Sequence, residues 1–201
     1  MTTLDQEHKQ FSFTTENQTA ILRHIAKYPK ERKQSAVLAA LDIAQRQCGG
    51  WLPQTAIEAV ADTLDMPKIR TLEVATFYSM FNLEPVGQHV IQICTTTPCW
   101  LRGSSEVTVA CERHLKIKLG QTTSDEKFTL REVECLGACV NAPMMQIDDN
   151  YFEDLTPEGV VSILDAFSRG ESPRPGPQSG RHTSSPESGL TTLESTTESS
   201  D

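Results

Sequence analysis

Positive charge is in short supply. Eighteen Lys and Arg stand against 27 Asp and Glu, a formal net charge of −9, so the basic field that a phosphate backbone requires is missing and no nucleic-acid partner is expected. Long apolar runs are missing too. Nothing approaches the ~18 continuous apolar residues of a membrane-spanning helix, and Met1 to Gln18 carries Asp5, Glu7, His8, Lys9 and Glu16 in place of the apolar centre of a secretory signal. The chain is therefore expected to stay inside the cell, without direct membrane insertion. There is no internal repeat, no Gly-rich phosphate loop and no C-x-x-C pair, and the string GACVNAP lacks the spacing of a dinucleotide fingerprint. A dithiol oxidoreductase would want C-x-x-C at a helix start, and a Rossmann-type nucleotide site would want G-x-G-x-x-G.

Hydrophobic residues make up only 37% of the chain, and the shortfall is local. Of the 31 residues from Glu171 to Asp201, 20 are Ser, Thr, Pro or Gly, and the only aliphatic ones are Leu190 and Leu193. Such a stretch buries too little to offset its ordering entropy, so residues 170–201 are expected to form a disordered, mildly acidic tail. Residues 1–14 are expected to be a flexible N-terminus. Between them, residues 15–85 carry helical periodicity in four short runs. One lies around Ile21 and Ile25 behind Thr15 as N-cap, and a second runs from Ser35 through Val37, Leu38, Leu41 and Ala44 to a Gly49-Gly50 stop. The third holds Ile57, Val60, Ala61 and Leu64 behind Pro53, and the fourth Ile69, Leu72, Ala75, Thr76 and Tyr78 behind Pro67. These predict a small helical bundle.

From residue 86 to 169 the period changes. His89 to Cys94 alternates as a strand, Gly103-Ser104-Ser105 opens a helix with Val107, Ala110 and Leu115 inward, and Phe128 to Cys135 alternates again with a register kink. Met144 to Ile147 and Tyr151 to Phe152 flank Asp148-Asp149-Asn150, a hairpin signal, and Thr156-Pro157-Glu158 starts a last helix. A β-α-β crossover followed by a hairpin and a helix is a minimal thioredoxin-like sheet. The expected class is α+β.

Six cysteines are present, and cytosolic thiols stay reduced, so they read as metal ligands before disulfides. Four come as two pairs. Cys94 and Cys99 are separated by four residues, Cys135 and Cys139 by three, with 35 between the pairs. Each pair leaves a strand into a loop. A [2Fe–2S] centre has two tetrahedral irons that each need two thiolates beyond the shared sulfides, so it wants ligands in two pairs. Zinc accepts similar knuckles, but it usually secures folds that lack a core, and this chain has amphipathic elements enough to build one. Spacing thus favours [2Fe–2S] and leaves a zinc-stabilised adaptor and redox thiols open.

The strings CTTTPCWLRGS (94–104) and ECLGACVNAPMM (134–145), preceded by GGWLP (49–53) and EVATFYSMF (73–81), resemble the thioredoxin-like [2Fe–2S] ferredoxin family, the E-type subunits of NADH-quinone oxidoreductase (respiratory complex I). The resemblance spans roughly residues 15–168. It implies one [2Fe–2S] cluster ligated by Cys94, Cys99, Cys135 and Cys139. It also implies an electron-transfer role in the peripheral arm beside a flavin-bearing, NADH-oxidising subunit, with FMN and NADH bound only by that partner. No catalytic site of its own is implied. A bacterial chain of this kind would be cytoplasmic and peripheral to the inner membrane. Related subunits serve NAD-linked hydrogenases and formate dehydrogenases, so the resemblance narrows the chemistry more than the assembly.

The remaining candidates read plainly. Cys48 and Cys111 lack partners at ligand spacing and are expected as small buried hydrophobes. The histidines at 8, 24, 89, 114 and 182 are scattered, with no Cys-x-His pattern. Phe77, Tyr78 and Phe81 either pack in the core or anchor a partner.

Overall fold

The computed structural model describes residues 11–186, 188–189 and 191–192. The chain divides into two compact units, with the division between Val86 and Gly87.

The first unit holds α1 (Thr15–Ile25), α2 (Val37–Gln47), α3 (Gln54–Leu64) and α4 (Lys68–Phe77), with a 3-10 turn over Lys30–Ala36 ahead of α2. Its core is Ile21, Leu41, Leu52, Val60 and Leu64, all fully buried, closed by Phe81. Local chemistry sets the ends. Thr14, one residue before the expected cap, accepts the Asn17 N–H on its hydroxyl at 3.2 Å. Ser35 caps nothing, because it lies inside the 3-10 turn that runs directly into α2. Pro53 and Pro67 stand immediately before α3 and α4, where their missing N–H costs no helical bond.

Residues 11–14, expected to be flexible, are packed. Phe11 and Phe13 stack edge to face at 5.0 Å and lean on the helical core, and Gln47 bonds both Ser12 and Thr14. Residues 1–10 lie outside the described residues. The face of α4 is a second difference. Thr71 and Ala75 are the buried positions, while Ile69 and Leu72, expected inside, are exposed. Phe81 is core and Phe77 is 79% exposed, so the aromatic cluster divides between the two roles offered for it.

The second unit holds β1 (His89–Cys94), α5 (Thr97–Leu101), α6 (Ser104–Leu115), β2 (Phe128–Val133), β3 (Met145–Ile147), β4 (Asn150–Glu153), α7 (Pro157–Ser168) and β5 (Gly176–Pro177). The sheet order is β2-β1-β3-β4-β5, with β1 parallel to β2, β3 antiparallel to β1 and β4, and β5 parallel to β4. This is the α+β, thioredoxin-like arrangement expected from the crossover and hairpin. Ile91, Ile93, Leu130, Met145, Ile147 and Phe152 meet Val107 of α6 and Val160 and Leu164 of α7 in one core. Removing one of these large side chains to Ala would cost ~2–5 kcal/mol. Asp148 takes the positive φ of the hairpin and accepts from His89 Nδ1 at 2.6 Å and from the Val90 N–H at 3.0 Å, which fastens the turn to the start of β1.

In β2, Phe128, Thr129 and Leu130 are all buried where alternation predicts one outward residue. The segment 120–123 pairs along the strand's outer edge, with Gly120 N–H on the Leu130 carbonyl and Thr123 N–H on that of Phe128. Thr129 is buried beneath it, its hydroxyl accepting from Gly87 N–H at 2.7 Å and meeting Thr122 Oγ1 at 2.8 Å.

The C-terminal stretch expected to be disordered is tied down along its first half. Gly176–Pro177 pairs with Phe152 and Glu153, and Arg181 forms a nearly buried ion pair with Asp154. Composition misses this because two backbone-paired residues and one ion pair need almost no apolar content. Residues 187, 190 and 193–201 lie outside the described residues.

Candidate metal centre

Parallel pairing of β1 and β2 sends both chains out of the same edge of the sheet, with Cys94 opposite Val133. Cys94 is the last residue of β1, and Cys135 follows β2 by two residues, so the two cysteine pairs begin side by side although 40 positions separate them in sequence. Cys99 is brought back by α5, a five-residue helix with Pro98 in its first turn. Cys139 opens a 3-10 turn, Cys139–Asn141, that leads to β3.

The two pairs differ in burial. Cys94 and Cys99 are each 1% exposed and share a small apolar shell with Ala142 and Met144, against which Leu136, Ala138 and Tyr151 pack. Cys135 and Cys139 are exposed, with their sulfurs 3.3 Å apart. Gly137, at positive φ, turns its N–H onto Cys135 Sγ at 3.4 Å. The Tyr151 hydroxyl donates to the Leu136 carbonyl at 2.8 Å and tethers the loop between the second pair. Neither contact is legible in the spacing, since Tyr151 reads simply as a strand residue.

The thiols sense one another. Burial works to raise the pKa of Cys94, but the Thr96 hydroxyl at 3.3 Å and the Thr96 amide, with help from Cys99 and the Leu136 amide, bring it below its ordinary value. Cys99 goes the other way: burial, then the bond with Cys94, pushes its thiol up to about 12. Cys139 is raised, first by its hydrogen bond with Cys135, then by burial and by the negative charges of Cys135 and Cys94. The arrangement is one polarised pair and one exposed pair with N–H donors aimed at sulfur, which is how thiolates of a charged cluster are held. Among the described residues no three His, Cys, Asp or Glu side chains converge on a single point as for one ion. The donor set is two pairs, which fits two irons. Beside the first pair, Thr95, Thr96, Thr97, Trp100, Glu132 and Glu134 line an open cleft of about 400 Å³. Cys111 is on the inward face of α6 in the second unit's core, and Cys48 is half-buried in the helical unit.

The profile of thioredoxin-like [2Fe-2S] ferredoxins matches residues 21–168. The chain belongs to the thioredoxin-like [2Fe-2S] ferredoxin family. One [2Fe–2S] cluster is accordingly its cofactor. The E-type subunit of the NADH-quinone oxidoreductase from Rickettsia bellii is 59% identical over 155 residues, 77% of this chain and 93% of that protein. The mitochondrial NADH dehydrogenase [ubiquinone] flavoprotein 2 of Dictyostelium discoideum is 48% identical over 189 residues, 94% of this chain and 76% of that protein. A match of that length runs through the C-terminal segment around Arg181. Within the family, the chain is thus of the kind found in NADH-quinone oxidoreductases. In fold it also resembles an NAD+-reducing [NiFe]-hydrogenase chain in the H2-reduced state, with a TM-score of 0.59 and 20% identity, over 68% of this chain and 23% of that one.

Proposed function

We propose that this chain passes electrons within an NADH-quinone oxidoreductase, with Cys94, Cys99, Cys135 and Cys139 as the ligands of its cluster and the flavin-bearing, NADH-oxidising subunit as its neighbour. The observation that carries the ligand assignment is the meeting of two thiol pairs at the one sheet edge where parallel β1 and β2 both end. A [2Fe–2S] centre supplies one-electron transfer. The residues of this chain do the holding. Cys94 and Cys99 sit in a water-poor shell, the amides of Gly137 and Thr96 face sulfur, and Tyr151 fixes the loop that carries the second pair.

Because NADH releases two electrons together as a hydride, the flavin that divides them belongs on the partner. The helical unit supports such a neighbour. Ile69, Leu72, Phe77, Met80 and Leu83 are exposed on α4 and the segment after it, and an apolar groove of about 430 Å³ lies beside them between Leu52, Ile57 and Leu83. Exposed apolar surface concentrated in one stretch is the mark of a subunit contact. Among the described residues no helix is long and apolar enough to cross a membrane. The place of the chain in this reading is the peripheral arm beside the flavin-bearing partner, on the cytoplasmic side if the complex is bacterial.

Analysis of iron and acid-labile sulfide in the purified protein should give two of each per chain. Cys94→Ala, Cys99→Ala, Cys135→Ala and Cys139→Ala should each abolish or badly disturb the cluster's visible spectrum, while Cys48→Ala and Cys111→Ala keep it. Full iron and sulfide in Cys139→Ala would sink the ligand assignment, and one zinc without sulfide would sink the cluster itself.

A further inference from the structure

The segment beyond α7 is fastened to the loop that carries Cys139, and nothing in the function above uses it. β5 lies beside β4, and the Gln178 N–H donates to the Glu153 carbonyl at 2.9 Å. Arg181 then reaches back. Its Nε and Nη2 grip both oxygens of Asp154 at 2.7 and 2.5 Å, Nη2 also donates to the Val140 carbonyl at 3.0 Å, and Nη1 donates to that of Ser185 at 3.1 Å. The two side chains are only 10% and 12% exposed, so this fork is not a solvent-screened surface pair. Ser179 adds a hydroxyl to Asp154 at 2.8 Å. Two residues past Arg181, the Thr183 carbonyl accepts from Asn141 Nδ2 at 3.1 Å, and the same amide bonds Glu153.

Val140 and Asn141 are the two residues that follow Cys139 in its 3-10 turn. Each is therefore bonded by the C-terminal segment, one through its carbonyl and the other through its side chain. The turn is three residues long, with Cys139 and Val140 exposed, so it has little core of its own to fix it.

We infer that residues 176–186 form a strap on the ligand loop, in which Arg181, anchored by Asp154, is a positioning residue that holds the Cys139 turn and sets positive charge beside it. The inference rests on the assignment of Cys139 as a ligand. Two consequences separate it from a merely structural role. Loosening the turn speeds loss of iron, as changes behind metal ligands generally do. Removing the guanidinium also leaves the Asp154 carboxylate uncompensated next to a centre that gains negative charge on reduction, so the midpoint potential falls.

The test uses the full-length, cluster-loaded chain with Arg181→Gln, Arg181→Lys and, as a control, Arg169→Gln, whose partner Glu171 is a surface residue. Iron release to a chelator and the EPR-monitored midpoint are measured. Arg181→Gln should release iron on the order of tenfold faster and titrate at a lower potential. Arg181→Lys should release faster with a midpoint near the parent's, and Arg169→Gln should change neither. Coupling is reciprocal, so in the unsubstituted chain removing the cluster should speed amide exchange at Gln178. That readout decides the matter if Arg181→Gln fails to fold. Release within about twofold of the parent, an unchanged midpoint in Arg181→Gln, or equal Gln178 exchange with and without the cluster overturns the strap. Full cluster in Cys139→Ala would instead overturn the ligand assignment beneath it.

Discussion

Burial alone does not distinguish the proposed ligand cysteines, because Cys94, Cys99 and Cys111 are all buried. What separates them is where the backbone delivers the sulfur: two at the sheet edge, the third on the inward face of α6 in the hydrophobic core. Burial pushes the Cys111 thiol up to about 12, which leaves it neutral and unreactive in the folded chain. In cluster-free protein at pH 8, iodoacetamide should therefore label the exposed Cys135 and Cys139 first and reach Cys111 only on unfolding. Mass-spectrometric mapping that found Cys111 among the early sites would contradict this. Cys111→Ala should lose about 1 kcal/mol of stability, measured by denaturant titration, without losing the cluster. Ligation requires thiolates, and in the cluster-free chain Cys99 and Cys139 both hold their protons above the ordinary range. Uptake of iron and sulfide thus releases protons and strengthens as pH rises. Reconstitution should be slower and less complete at pH 6 than at pH 8.5, and a flat profile would show that thiol ionisation is not limiting.

Among the elements, β2 depends on its neighbours more than on its own pattern. A Cβ added at Gly87 would meet the backbone N of Phe128 at 2.8 Å, and neither chain can yield without breaking the Gly87 to Thr129 bond. Gly87→Ala should cost ~1–3 kcal/mol in thermal unfolding, an amount typical of overpacking and larger than a surface substitution gives. The same dependence explains what the sequence discloses. β1, α3 and α7 follow from periodicity and turn residues, because each buries one regular face. α5 escapes such reading, since five residues around Pro98 carry no period, and β5 exists only through pairing with β4. The apolar period of α4 reads as a core face although Ile69 and Leu72 face outward, because periodicity reports that a face is apolar and not what covers it. The proposed ligand set comes from spacing and resemblance, whereas Tyr151 and Arg181 carry no such signal, since each reaches the site through contacts far apart in sequence.

For the molecule as a whole, the proposed division of labour with a flavin-bearing partner gives a direct expectation. NADH added to the purified, cluster-loaded chain should leave its visible spectrum unchanged, and bleaching should appear only after the flavin-bearing subunit is added. Bleaching without that partner would place a hydride acceptor on this chain and overturn the proposed arrangement. Cutting the chain after residue 170 should speed loss of the cluster where cutting after residue 186 does not, because only the former removes Arg181. Neither main core contains any of the four proposed ligands: Cys94 and Cys99 have their own small shell at the sheet edge, and Cys135 and Cys139 are exposed. Under the proposed ligation the two main cores do not wait on the inorganic part, and a damaged cluster would be stripped and refitted through the exposed side at Cys135 and Cys139 while the polypeptide is spared. Chelated protein should accordingly keep its far-UV dichroism and cooperative melting, with the loosening on loss of the cluster confined to the strap and the Cys139 turn, so that the two main cores outlast the cluster.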